Sequence, residues 1–170
     1  MHIELLLMRH GKSDWSRAVD DFRRPLKKRG RRGAQRIGAW LRQQGLLPDH
    51  VVSSPAERAS ATARLTCEAV GLPVERIVYD ERIYEAGINA LLQVLADTPA
   101  KTERVLLVGH NPGLENLLIY LADQPVVLPD DANLMPTATL ARFRLAGDWQ
   151  SLDAGAGRLL SIIRGRNLPD

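Results

Sequence analysis

Four side chains in this sequence have the types and spacing that phosphate chemistry requires. Arg9 and His10 follow the apolar run Leu5-Leu6-Leu7-Met8 and precede Gly11. Arg58 stands in Ser53-Ser54-Pro55-Ala56-Glu57-Arg58, and His110 follows Val105-Leu106-Leu107-Val108-Gly109. A phosphoryl group spreads negative charge over its oxygens while a nucleophile attacks in line, so neutralising donors must surround it. An arginine fork contacts two phosphate oxygens at once, which lysine does not. His10 is the natural nucleophile: a neutral imidazole can attack phosphorus and carry the group as a phosphoramidate. That role needs one ring nitrogen unprotonated and the other held by an acceptor. Nearby cations favour the neutral ring. Free amides near Gly11 and at the helix start after Ser54 would add donors, and Ser13 joins Gly11, Arg9, Arg58 and His110 as an expected phosphate ligand. Singly, each residue has an ordinary reading, as a satisfied structural histidine or a surface arginine. Together they are much harder to obtain by chance.

These side chains need elements to position them. Ile3 to Met8 is a short apolar run broken only by Glu4, which suits a central parallel strand better than a helix. Lys12 to Pro25 is polar and aperiodic, so it is a loop, with Leu26 anchoring its end. A helix is predicted from about Lys28 to Gln44, with Ala34, Ile37, Gly38 and Leu41 inward, Trp40 on the flank, and Gly45 and Pro48 as stops. Val51 to Ser53 is a second strand. Pro55 then opens a helix capped by a serine and running to about Val70. Ile77 to Tyr79 is a third strand and Asn89 to Leu95 a helix. Val105 to Val108 is a buried strand, followed by a helix from about Pro112 to Leu121. Ala138 to Leu145 alternates as a half-buried strand, and Leu159 to Ile163 is the last strand.

Strands alternating with helices predict an α/β protein: a three-layer α/β/α sandwich with a mostly parallel central sheet. Ligands in such sheets bind off the carboxyl ends of strands, and His10 and His110 both sit there. The 170 residues, 45% of them hydrophobic, are read as one domain spanning 1–170. The single cysteine, Cys67, cannot form an internal disulfide and is read as core. No metal-ligand cluster is evident, and no cofactor is expected. Without a spanning segment or a basic leader, a soluble cytoplasmic protein is expected. The net charge of +3 is uneven: eight Lys or Arg residues lie between Arg23 and Arg36 with no acid among them. Such a run is a nucleic-acid footprint, a face for an acidic protein or, most commonly, a solvated helix surface. Only Phe22 lies near it, so no stacking platform supports nucleic-acid binding.

Arg9-His10-Gly11 resembles the signature of the histidine phosphatase superfamily, which has the phosphoglycerate mutase-like fold. Ser53-Ser54-Pro55-Ala56-Glu57-Arg58-Ala59, with Thr62 after it, is similar to that family's second motif. Val108-Gly109-His110-Asn111-Pro112 is similar to its third. Arg24-Pro25-Leu26 with Gly30, His110-Asn111-Pro112-Gly113 and Met135-Pro136-Thr137 resemble the small SixA-type phosphohistidine phosphatases in particular. The resemblance covers nearly the whole chain. It implies that His10 is phosphorylated while Arg9, Arg58 and His110 bind the phosphoryl group. Lys27-Lys28-Arg29 departs from the pattern, in which a threonine or serine commonly follows the Pro-Leu pair.

The proton donor is open at this level. Asp80-Glu81-Arg82-Ile83-Tyr84 resembles a mutase pattern and nominates Glu81, with Glu85 as a second carboxylate and a surface ion pair as the ordinary reading of Glu81. An alkoxide leaving group needs a general acid, whereas an imidazole departs with little help. The first functional reading is therefore a metal-independent phosphatase acting through phospho-His10 on a phosphohistidine protein. The second is a small-molecule phosphatase or a phosphoglycerate mutase-like enzyme. A non-catalytic basic domain binding phosphorylated partners or nucleic acid is the third. The segments after Ser13 and Glu85 are short, so an open pocket without a lid is expected.

Overall fold

The computed structural model describes residues 2–170. A six-stranded sheet runs through it in the order β3-β2-β4-β1-β5-β6. The strands are β1 (Ile3–Arg9), β2 (His50–Ser53), β3 (Val78–Tyr79), β4 (Arg104–Gly109), β5 (Thr139–Leu145) and β6 (Gly157–Arg164). The helices are α1 (Lys28–Gln43), α2 (Glu57–Val70), α3 (Ile88–Ala96) and α4 (Gly113–Leu121). The pairs β2–β3, β2–β4 and β1–β4 are parallel, and the pairs β1–β5 and β5–β6 are antiparallel. The fold is thus the expected α/β sandwich, with an antiparallel margin on one side of its parallel part.

The two-residue period of the central strands explains the layers. In β1, Leu5 and Leu7 join one core with residues of α3 and α4, while Leu6 and Met8 join another with residues of α1 and α2. In β4, Val105 and Leu107 face the first core, and Leu106 and Val108 the second. All of these side chains are fully buried. Each such burial contributes roughly 1.5–3 kcal/mol. Glu4, which interrupts the apolar run, is paired across the sheet with Arg104 of β4 at 2.7 Å and Arg142 of β5 at 2.9 Å. Cys67 is free and lies in the second core, where burial pushes its thiol up to about 11.

Three local expectations change. The helix after Ser54 begins at Glu57, and its N-cap is Ala56 rather than a serine. Ser54 Oγ instead accepts the Ala56 N–H, one step before the helix. β5 is not half-exposed along its length: Leu140 is buried like Ala141, Phe143 and Leu145, because it joins the second core with residues of α1. The loop from Lys12 to Pro25 is not wholly irregular. It contains a 3-10 turn at Asp21–Arg23, capped by the Asp20 side chain.

The edge at the carboxyl ends of β1 and β4 is where backbones crowd together. A Cβ on Gly11 would stand 2.4 Å from the Gly30 carbonyl oxygen, and a Cβ on Gly30 would stand 2.2 Å from that of Lys12. Glycine at both positions lets α1 sit directly against the residues that follow His10. Gly87, by contrast, has nothing within 4 Å of a built Cβ. Gly30→Ala and Gly11→Ala should each lower unfolding free energy by about 3 kcal/mol or more, as overpacking against backbone does. Gly87→Ala should stay within about 0.5 kcal/mol. Urea unfolding of the three variants checks this, and equal midpoints would contradict it.

Candidate active site

The adjacent strands β1 and β4 end side by side, with Arg9 opposite Gly109 and the His10 N–H donating to the Gly109 carbonyl. This brings the two strand-end histidines together, with ring centroids 5.2 Å apart. His10 is only 6% exposed. Its Nδ1 lies 2.7 Å from the Gly11 carbonyl oxygen. A carbonyl only accepts, so Nδ1 carries the proton and Nε2 keeps the lone pair. Burial pushes the His10 pKa down to about 3, with His110, Arg9 and Arg58 adding to the effect and the Gly11 bond opposing it. Burial, aided by Arg58, likewise lowers His110 to about 4. Both rings are neutral near pH 7.

Arg58 comes from the first turn of α2 and is buried. Its Nη1 donates to the Asp21 carbonyl at 2.6 Å and its Nη2 to the Asp21 carboxylate at 3.0 Å. The same carboxylate accepts from Arg24 Nη1 and Tyr84 Oη, each at 2.6 Å. The Tyr84 hydroxyl, followed by the two arginines, holds the Asp21 carboxyl far below the usual range, so Asp21 stays ionised. Arg9 donates from Nη1 to the Met135 carbonyl at 3.2 Å. That peptide is braced from α4, where Glu115 Oε1 accepts the Met135 N–H, and Asn111 Nδ2 donates to the same carbonyl. His110 Nε2 is 2.8 Å from Ser54 Oγ. Arg9 Nε, Arg58 Nε and His110 Nδ1 are buried with no hydrogen-bond partner in the protein. A buried donor without an acceptor costs on the order of 1–3 kcal/mol. The two arginine Nε donors fit an oxyanion, and His110 Nδ1 joins them in the tautomer in which Ser54 Oγ–H donates to Nε2.

Two expected ligands hold the scaffold. The Gly11 amide is not free: it donates to Thr62 Oγ1 at 3.0 Å, and Thr62 donates in turn to the Arg58 carbonyl. Thr62 therefore ties the β1 end to α2. Ser13 is buried and accepts from Arg24 Nε at 3.0 Å, which fixes Arg24. A cavity of about 500 Å³ opens beside the site, lined by Asp21, Arg58, Tyr84, Glu85 and His110 among others. Glu81 begins a 3-10 turn (Glu81–Ile83), is exposed, and does not line this cavity, whereas Glu85 does. Glu85 has a φ of 58°, a left-handed backbone that costs an L-residue roughly 1–2 kcal/mol.

Asp21 and Tyr84 are site residues that the sequence pattern did not single out. Asp21 lies in an aperiodic polar loop. Tyr84 was visible only as the end of the stretch that nominated Glu81. Tyr84 packs edge-on against His110 and against Phe22, at 5.6 and 5.2 Å between centroids, so the loop that carries Asp21 rests on the cavity rim. Among the described residues, no group of three or more His, Cys, Asp or Glu side chains is placed to hold a metal ion. No helix among them is long and apolar enough to cross a membrane.

The histidine shifts carry a sign. Folded pKa values below the unfolded value near 6.5 make unfolding take up protons, so stability falls as pH drops below about 6.5. The same geometry predicts that ring ¹⁵N shifts keep His10 neutral, with its proton on Nδ1, from pH 8 down to about 5. A His10 titration centred near 6.5 would contradict it.

Comparison with known proteins agrees with this geometry. The family model described as Histidine phosphatase superfamily (branch 1) matches residues 5–91. An uncharacterised protein of Mycobacterium tuberculosis is 32% identical over 159 residues, covering 91% of this chain and 98% of that protein. A 2,3-bisphosphoglycerate-dependent phosphoglycerate mutase of Bifidobacterium longum is 35% identical over 100 residues, 54% of this chain but only 38% of the mutase. Among solved structures, a candidate phosphohistidine phosphatase SixA from Nakamurella multipartitia is similar with a TM-score of 0.80 and 30% identity, covering 96% of each chain. The protein histidine phosphatase SixA complexed with tungstate shares the fold, with a TM-score of 0.81 at 22% identity and coverage of 97% of this chain and 99% of that one. On the family match and the full-length relative together, this chain belongs to the histidine phosphatase superfamily.

Proposed function

We propose that the chain is a phosphatase that passes a phosphoryl group through His10 Nε2, and that its substrate is phosphohistidine on a protein. The observation that carries the reading is the Nδ1 contact of His10 with Gly11. It leaves Nε2 as the unprotonated nitrogen in a site where Arg9, Arg58 and His110 each carry a buried side-chain nitrogen without a protein partner. In the first step the Nε2 lone pair forms a bond to phosphorus and the substrate's P–N bond breaks. A substrate ring protonated on its other nitrogen leaves as neutral imidazole, while His10 becomes a phosphorylated imidazolium whose Nδ1–H still donates to the Gly11 carbonyl. In the second step water attacks phosphorus, the bond to Nε2 breaks, and neutral His10 and dihydrogen phosphate result. Arg9, Arg58 and His110 would stabilise the equatorial oxygens in both transfers.

Exchange between two imidazoles needs no enzymic acid. The surroundings support that economy: Asp21 is held ionised, and Glu81 is exposed and away from the cavity. Glu85, which lines the cavity, is the carboxylate placed to help an alkoxide depart. A small-molecule phosphatase or mutase-like activity would rest on it.

Hydrolysis of a phosphohistidine peptide and of aryl and alkyl phosphates separates the readings. His10→Ala should lose about 10³-fold or more on every substrate. Arg58→Ala should lose roughly 10²-fold. Glu81→Gln should change phosphohistidine hydrolysis by less than about 3-fold, since the leaving imidazole asks little of a donor. Activity surviving His10→Ala would remove the covalent route. Alkyl phosphate turnover that equals phosphohistidine turnover and collapses in Glu85→Gln would favour the small-molecule reading.

A further inference from the structure

The basic run of the sequence does not dissolve into a uniform solvated surface. Arg24 is buried in the site just described. Arg29, Arg32 and Arg36 follow the i, i+3, i+7 spacing of one helix face, and all three line a separate cavity of about 110 Å³. Lys12, from the segment after β1, and Arg166, from the 3-10 turn Gly165–Asn167, line it too. Five cations from three parts of the chain therefore converge on one small concavity. Counter-charge is sparse: Asp170 pairs with Arg36, and Asp131 approaches Arg166 at 3.5 Å. Among the described residues, Lys12, Arg29 and Arg32 have no carboxylate within ion-pair distance. The first turn of α1 contains no acid, and its N-cap, Lys27, makes no side-chain cap. The positive end of the helix dipole thus adds to the cations instead of being offset.

The position of this cavity links it to His10. Its remaining wall is Gly33 and the strip Pro136, Thr137 and Ala138. Directly before them, the Met135 carbonyl holds Arg9, and the Ala138 N–H donates to the His10 carbonyl. One short strip thus both touches Arg9 and His10 and walls the basic cavity. α1 follows β1, so its first turns lie at the same sheet edge as His10. The two cavities share no lining residue. A protein surface laid across this sheet edge would meet both.

We propose that the cavity of Lys12, Arg29, Arg32, Arg36 and Arg166 is a docking site for an acidic side chain on the phosphorylated protein substrate. It is engaged while the phosphohistidine enters at His10. The proposal rests on the reading of His10 as phosphoryl acceptor. Complementary charge of this kind raises encounter rates and fixes orientation, and it weakens with salt.

The test uses two phosphohistidine peptides of equal length, one with acidic and one with uncharged flanks, together with free phosphohistidine. They are compared on the full chain and on the Arg29→Glu/Arg32→Glu variant at low and high salt. The wild type should show a KM about 10-fold lower for the acidic peptide at low salt, with kcat unchanged and the preference lost at high salt. The variant should lose that preference and keep wild-type turnover of free phosphohistidine, which also reports that it is folded. Equal KM values in the wild type, or a preference that survives charge reversal, would overturn the proposal. So would tight binding of a single-stranded oligonucleotide that the double variant abolishes without any effect on the peptides. Failure of the wild type to hydrolyse any of the three substrates would instead strike the His10 reading itself.

Discussion

The hydrogen bond from His10 Nδ1 to its neighbour's carbonyl is the contact on which the rest of the site depends. It is made within one dipeptide, so its geometry is only as good as the backbone of Gly11. That backbone is held from three directions. Thr62 accepts the Gly11 N–H, the Ala138 N–H binds the His10 carbonyl, and Gly30 packs against the Gly11 Cα. Each tie comes from a different element: α2, the lead into β5, and α1. The sandwich is therefore more than a support for four side chains. It sets the tautomer of one ring.

Electrostatics then decides what the ring does. Burial and the surrounding arginines keep His10 neutral, and a neutral ring with Nδ1 protonated has its lone pair on Nε2. The same arginines would be costly side by side without an anion. In this structure Asp21 supplies one, accepting from both Arg58 and Arg24 while Tyr84 donates to it as well. An incoming phosphoryl group meets an Arg58 whose two terminal nitrogens are already engaged by Asp21. Arg58 Nε and Arg9 Nε are donors still without partners in the site, and His110 Nδ1 is a third unpartnered nitrogen there. Asp21 thereby orients Arg58, and under the proposed function it would compete with phosphate for that side chain.

The sequence made the four chemical residues legible because each sits at a punctuation mark: the end of an apolar strand or the first turn of a helix. The layers were legible for a related reason, since the two-residue period of β1 and β4 survives intact into the two cores. What stayed hidden was side-chain to backbone commitment. The Gly11 amide looked available because nothing in the sequence reveals that Thr62, fifty-one residues away, accepts from it. The bond from Arg24 Nε to Ser13 Oγ, eleven residues apart, is likewise unmarked by any pattern. Glu81 resembled a donor by motif, but a single 3-10 turn at Glu81–Ile83 places Glu85, not Glu81, on the cavity wall. Asp21 had no periodic context to mark it. Its importance comes entirely from long-range contacts made by an otherwise irregular loop.

The most direct test of the account is the identity of the nitrogen that carries phosphate. The enzyme should be trapped as its phosphoenzyme at alkaline pH and the phosphorylated ring examined by ³¹P and ¹⁵N NMR. Phosphate on Nε2 of His10, with the proton still on Nδ1, is the result the Gly11 contact requires. Phosphate on Nδ1, or on any residue other than His10, would contradict it.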